Sequence, residues 1–205
     1  MTTPRHMSTR PMKLTPEQLE VAIRGCMDGD RRCQEQVFKE FFGKMMSVCM
    51  RYTRDKDTAQ DMLQDAFIKT FDKIGDFNFS GSFEGWLRRI VVNTAIDHIR
   101  RNKQMLTIDD DSLIKDEDKD SVGAFQEENE DLAPYANVSP EMIMEAMQKL
   151  SPAYQAVFNL YVFENYTHKD IADALQISVG TSKSNFAKAK MRLKILLQKQ
   201  LSIKE

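Results

Sequence analysis

Several enzyme signatures are missing from this chain. It has no P-loop, no serine-nucleophile elbow and no dinucleotide fingerprint. Its three cysteines, Cys26, Cys33 and Cys49, are odd in number and show no CxxC spacing, so they read as buried thiols in a reducing compartment. His6, His98 and His168 are scattered and pair with no cysteine in a metal pattern. No stretch approaches the roughly 20 apolar residues of a membrane span, and the first residues lack the apolar run of a signal peptide. No catalytic, metal or cofactor site is expected, and the expected location is cytoplasmic with no membrane insertion. The net charge of −2 is small, but the charge is segregated. From Ser178 to Glu205 there are seven basic residues and one acid; from Lys103 to Val138 there are three basic residues and eleven acids. Such a chain presents a basic working face and an acidic spacer.

What is there is helical. Tyr166 to Lys190 reads as two short helices around a tight turn. Thr167 and Asp170 form an acidic capping box, and Ile171, Ala172 and Leu175 share one face. Gln176 and Ile177 make the turn, and Ser178 caps a second helix with Phe186, Ala189 and Leu193 on its buried side. The opposite side offers Ser184, Ala187 and Lys188, with Lys183 on its flank, which suits a major groove: phosphates take Lys, and base edges take short polar groups near the helix start. A surface hairpin with a solvated Lys face is the plain alternative.

Earlier in the chain, Thr15-Pro16-Glu17 starts a helix that stops near Asp28-Gly29, and Asp30 caps the next. Asp57 is expected to open a third. Ala59, Met62, Leu63, Ala66, Phe67, Thr70, Phe71 and Ile74 are expected on its inner face, and Asp61, Gln64, Asp65, Ile68 and Asp72 on the outer one. An acidic solvent face is the ordinary reading there, but Ile68 sits oddly on it and hints at a partner. The loop Phe77-Asn78-Phe79-Ser80 either tucks its aromatics into the core or stacks them on unpaired bases. Ser82 caps a helix to about Asn102 whose polar side carries Arg88, Arg89, Asn93, Arg100 and Arg101. Residues 103–138 lack periodicity and read as a flexible linker, so two domains follow. Ser139-Pro140 and Ser151-Pro152 start two more helices, the second expected to bury Tyr154, Val157, Phe158, Tyr161 and Val162.

Four segments in order carry a family resemblance. Residues 57–71 (DTAQDMLQDAFIKTF) resemble the core-polymerase-binding helix of bacterial sigma factors. Residues 82–101 (SFEGWLRRIVVNTAIDHIRR) resemble the helix that melts promoters and reads the minus-ten element. Residues 150–158 (LSPAYQAVF) and 170–184 (DIADALQISVGTSKS) resemble the domain that reads the minus-thirty-five element. Two helical domains without a middle one match the extracytoplasmic-function (ECF) class of the primary-sigma superfamily.

The resemblance implies an all-α protein: a tail at 1–13, a region 2-like domain at 14–102, an acidic linker at 103–138 and a region 4-like helix-turn-helix domain at 139–205. It implies a transcription initiation factor, not an enzyme. It places Asp61, Gln64, Asp65 and Ile68 against the clamp of the polymerase's largest subunit. Phe77, Asn78, Phe79, Ser80, Arg88, Arg89, Asn93, Arg100 and Arg101 go to minus-ten DNA, with the loop capturing a flipped base. Thr181, Lys183, Ser184, Asn185 and Lys188 go to the minus-thirty-five duplex. The implied partners are core RNA polymerase, with its flap contacted by the second domain, promoter DNA and an anti-sigma factor. The chain departs from the family pattern at Ser182, where Val is usual, at Asn185 and Lys190, where Arg is common, and at Gln155, a frequent Arg. The rival reading is a helix-turn-helix regulator whose first domain senses a signal or dimerises. Residues 57–101 count against it, since a sensor has no reason to contain them.

Overall fold

A computed structural model describes residues 13–101 and 138–202. The expected tail and linker fall outside them, apart from Lys13 and Val138. The described chain folds into eight α-helices and one short 3-10 turn, with no strand among the described residues. The first bundle holds α1 (Pro16–Met27), α2 (Arg31–Cys49), α3 (Lys56–Asp72), the 3-10 turn (Ile74–Asp76) and α4 (Phe83–Arg101). The second holds α5 (Pro140–Gln148), α6 (Pro152–Val162), α7 (His168–Leu175) and α8 (Val179–Ser202).

Local chemistry sets these boundaries. Thr15 and Gln18 form a reciprocal capping box on α1, and Thr167 and Asp170 do the same on α7. Ser139 and Ser151 accept from the backbone N–H three residues on, each with Pro at the first helical position. The third helix begins earlier than expected, because Asp55 and not Asp57 is the cap. Its carboxylate accepts from the Thr58 hydroxyl and from the N–H groups of Thr58 and Asp57, and these bonds, the hydroxyl's first, hold its pKa below the ordinary carboxylate value. Gln176 ends α7 in the left-handed conformation, with φ 56°, which turns the chain into α8.

Val37, Met45, Leu63, Ala66, Leu87 and Val91 form the centre of the first bundle. Cys49 and Cys26 are buried there, and burial pushes their thiols up to about 12 and about 11, where they stay protonated at neutral pH. In the second bundle Tyr154, Leu150, Met147 and Ala189 are fully enclosed. The expected burial of Tyr161 and Val162 is corrected: both are exposed, because they lie at the open end of α6, while Ala153, Ala156, Asn159 and Leu160 face inward.

Gly25 lets α1 and α2 approach closely. A Cβ built there would lie 2.3 Å from Sγ of Cys33 and 3.0 Å from its Cβ. Gly25→Ala is therefore expected to destabilise the protein by about 1–3 kcal/mol, the usual cost of overpacking. Chemical denaturation reads this out, and adding Cys33→Ala should recover part of the loss.

The two bundles touch. Helices α6 and α7 pack on α4, and Val157, Leu160, Ile171 and Leu175 join the apolar core of the first bundle.

Candidate polymerase and nucleic-acid interface

The outer face of α3 follows from its spacing. Residues at i, i+3, i+4 and i+7 share a helix face, so Asp61, Gln64, Asp65 and Ile68 form one strip. All four are exposed, Ile68 at 60%. Met62, Leu63, Ala66 and Phe67 anchor the opposite side in the core. The strip thus carries two carboxylates and an amide with a large exposed aliphatic side chain at its end.

The loop between the 3-10 turn and α4 divides its residues. Phe77 is buried at 7% exposure, with ring centres of Phe79, Phe83 and Trp86 at 5.0, 5.2 and 5.6 Å. The expectation that Phe77 offers a stacking face is corrected: its ring is enclosed by three other aromatics. Phe79 is half-buried and adopts φ 60°, the left-handed region that a bulky residue rarely enters. Its ring carries the guanidinium of Arg24 at 4.4 Å, and Arg24 is itself oriented by Glu20 through bonds of 3.1 and 2.8 Å. Asn78 Oδ1 accepts from Ser80 N at 3.1 Å and from Ser80 Oγ at 2.6 Å, fixing the turn. Asn78 and Ser80 are exposed.

On α4, Arg89 and Asn93 are exposed four residues apart, with Arg100 further along the same face and half-exposed. Arg101 is exposed at the helix end. Lys69 of α3 donates to Asp97 at 3.2 Å and to Thr94 at 3.3 Å, tying α3 to α4. Arg88 points elsewhere. Its Nε and Nη2 donate to the Glu164 carboxylate of the second bundle at 2.8 and 2.7 Å, and Nη2 also reaches Phe163 O at 3.3 Å. Arg88 is thus held by a carboxylate rather than open to solvent with its neighbours. Arg51, just beyond α2, donates to the same carboxylate at 3.3 Å and lies over the Phe163 ring at 4.5 Å. The hydrogen bonds that Arg88 donates to Glu164 hold its pKa above the ordinary value, while burial, with Arg88 beside it, lowers that of Arg51. Sequence reasoning missed Arg51, Glu164 and Arg24. Arg51 and Glu164 are more than a hundred residues apart and lie on no periodic face.

In the second bundle the start of α8 is exposed at Thr181, Lys183 and Ser184, and half-buried at Asn185 and Lys188. Ser178 accepts from Thr181 N at 2.9 Å, so the helix is capped where a groove-reading helix needs rigidity. Ser182 is fully buried, and its hydroxyl meets His168 Nδ1 at 2.9 Å. The departure at this position therefore replaces an apolar contact with a hydrogen bond between the two helices of the motif. His168 also stacks on Tyr161 at 4.7 Å; burial, and then the Lys183 charge, lower its pKa and favour the neutral ring. Among the described residues no group of His, Cys, Asp and Glu is placed to hold a metal, and no helix is long and apolar enough to cross a membrane.

Comparison with known proteins finds a family. Residues 37–105 match the family model Sigma-70 region 2, and residues 141–193 match Sigma-70, region 4, together more than half of the chain. The RNA polymerase sigma-H factor of Pseudomonas aeruginosa is 27% identical over 196 residues, covering 90% of this chain and 96% of that protein. The ECF RNA polymerase sigma factor SigM of Bacillus subtilis is 25% identical over 162 residues, covering 79% of this chain and 93% of that protein. Among solved structures, the sigma factor RpoE in complex with the anti-sigma factor NepR from Bartonella quintana is similar at 22% identity and a TM-score of 0.45, covering 80% of this chain and 96% of that one. The region 2 match includes the block that a sensor-type regulator has no reason to carry, and with region 4 following it the chain belongs to the sigma-70 family, as a sigma factor of the ECF class.

Proposed function

We propose that this protein is a transcription initiation factor that binds core RNA polymerase through α3, opens the minus-ten element with the loop and face of α4, and reads the minus-thirty-five element with α8. The single observation that carries this reading is the α3 strip: three polar residues and an exposed Ile68, on a helix tied to the basic face of α4 through Lys69. Polymerase binding and strand opening thus sit on one rigid unit. The domain limits follow as 14–102 and 139–205, joined by the acidic segment 103–138. The protein works in the cytoplasm, where its polymerase is, and an anti-sigma factor is its expected regulator. It performs no chemistry itself, and the catalytic groups belong to the polymerase. Run-off transcription tests this directly. Core polymerase plus this protein should initiate at a discrete set of promoters in a genomic library, and core polymerase alone should not. Initiation that is no more selective than with core alone would remove the assignment.

The upstream-reading face makes a second testable set. Lys183→Ala, which removes a phosphate-binding charge, is expected to weaken binding to all promoters alike and to lower the salt slope by about one. Ser184→Ala, which removes a hydroxyl placed for a base edge, is expected to cost roughly 1–3 kcal/mol at one base position and to relax preference there. Lys188→Ala should behave as Lys183→Ala. A promoter library profiled with each variant separates the two behaviours. Unchanged profiles for all three would place the recognition face elsewhere on α8.

A further inference from the structure

We propose that Arg51 and Arg88 form an anion site for the sugar-phosphate backbone of unpaired promoter DNA, and that Glu164 fills this site when the two bundles are closed. The inference rests on the reading of α4 as the minus-ten face.

Two guanidiniums converge on one carboxylate. Arg88 grips it with two bonds of 2.8 and 2.7 Å, and Arg51 adds a third at 3.3 Å. This is the fork geometry with which Arg binds either a carboxylate or the free oxygens of a phosphate. The Glu164 side chain is 8% exposed and that of Arg51 is 14% exposed, so the site is enclosed in the closed form. Its Arg88 lies on the same helix as Arg89 and Asn93. Removing the anion without replacement would leave two partly buried cations unpaired, which is strongly unfavourable. Exchanging Glu164 for a phosphate keeps both satisfied.

The closed contact is also built to release. Arg54 donates to Leu150 O at 2.6 Å, and Asn159 Nδ2 donates to Arg51 O. Arg51 Nε, Tyr52 OH and Asn159 Oδ1 are nevertheless buried without a partner. Such groups gain hydrogen bonds when the surfaces part, which offsets some of the cost of opening. Opening is also required by reach. Promoter elements about 25 base pairs apart are roughly 85 Å apart at about 3.4 Å per step, and two bundles in contact cannot span that. The movement that carries the second bundle to its distant element thus withdraws Glu164 and exposes the phosphate site at the moment when single-stranded DNA forms beside it.

The test uses the full chain and a fluorescein-labelled 20-nucleotide single-stranded DNA of mixed sequence. Glu164→Gln should bind the probe about tenfold more tightly than the unaltered protein, with a salt slope steeper by about 1.4, the value for two contacts at about 0.7 per phosphate on a single strand. Adding Arg51→Gln to Glu164→Gln should abolish most of the gain and return about 0.7 of the slope. Glu164→Asp keeps the charge with a shorter reach and should fall between the two; it serves if Glu164→Gln folds poorly by circular dichroism. Equal affinity for Glu164→Gln, Glu164→Asp and the unaltered protein overturns the proposal, as does a gain that survives Arg51→Gln. Tighter binding of core polymerase by Glu164→Gln without any change in DNA binding would show that the site takes a polymerase carboxylate instead. Promoter opening by the holoenzyme separates this inference from its premise. If Arg89→Gln impairs opening and Arg51→Gln does not, only the anion site fails; if neither impairs it, the reading of α4 fails as well.

Discussion

Core RNA polymerase is expected to lose this protein almost completely when Asp61 and Asp65 are both changed to Lys. The strip they form is exposed, and neither carboxylate makes a hydrogen bond or ion pair among the described residues. Their charge is therefore available to a basic partner and contributes nothing visible to the fold. Reversing two charges replaces two attractions by two repulsions, and like-charge contacts across an interface cost several kcal/mol. At about 1.4 kcal/mol per tenfold, affinity should fall by about 100-fold or more. Circular dichroism and melting temperature should stay as they were, because the buried side of α3 is untouched. Ile68→Ala is the apolar counterpart and should weaken binding by a smaller amount without salt dependence. Full-strength pull-down of core polymerase by the double reversal would move the docking face off this helix.

Promoter opening is expected to fail when Asn78 and Phe79 are changed together to Ala and Leu. Leu keeps the bulk and the backbone strain of residue 79 but has no π face, and Ala removes the amide that fixes the turn to Ser80. A base leaving the duplex costs a few kcal/mol of stacking and pairing, which the capturing loop must offset. Loss of a stacking face worth about 1–3 kcal/mol should lower the open fraction by one to two orders of magnitude. Permanganate reactivity of unpaired thymines reads this directly, while polymerase binding should be nearly unchanged. Phe77→Ala is the contrasting variant. Its ring is core, so it should destabilise the first bundle by about 3–5 kcal/mol. Persistent thymine reactivity in the double variant would exclude base capture by this loop.

Legibility in the sequence tracked the range of the interaction. Caps at Thr15, Ser139, Ser151 and Thr167 are local, and the chain names them within four residues. The α3 strip is equally legible, because three- and four-residue spacing is a property of the helix itself. The start of α3 was not, since Asp55 and Asp57 are both plausible caps and only the backbone geometry chooses between them. Phe77 and Phe79 share a loop without periodicity, so nothing local says which one turns inward. Tyr161 and Val162 look like core by composition but lie where α6 leaves the bundle. The Arg51–Glu164–Arg88 cluster joins α2, α4 and the turn before α7, and pairing at that separation leaves no trace in spacing.

The left-handed Phe79 beneath Arg24 has a consequence for promoter choice. A residue at φ 60°, with a guanidinium 4.4 Å over its ring and the Phe77 ring centre 5.0 Å away, is ordered before DNA arrives. Ordering a flexible residue costs about 1–2 kcal/mol, and here that term belongs to folding rather than to strand separation. With the protein side of the process nearly fixed, differences between promoters should come from the DNA side. Sites whose minus-ten segment contains easily unstacked pyrimidine–purine steps should open fastest, even where the bases contacted are the same. The loop then sorts promoters by the stiffness of the duplex as well as by its letters.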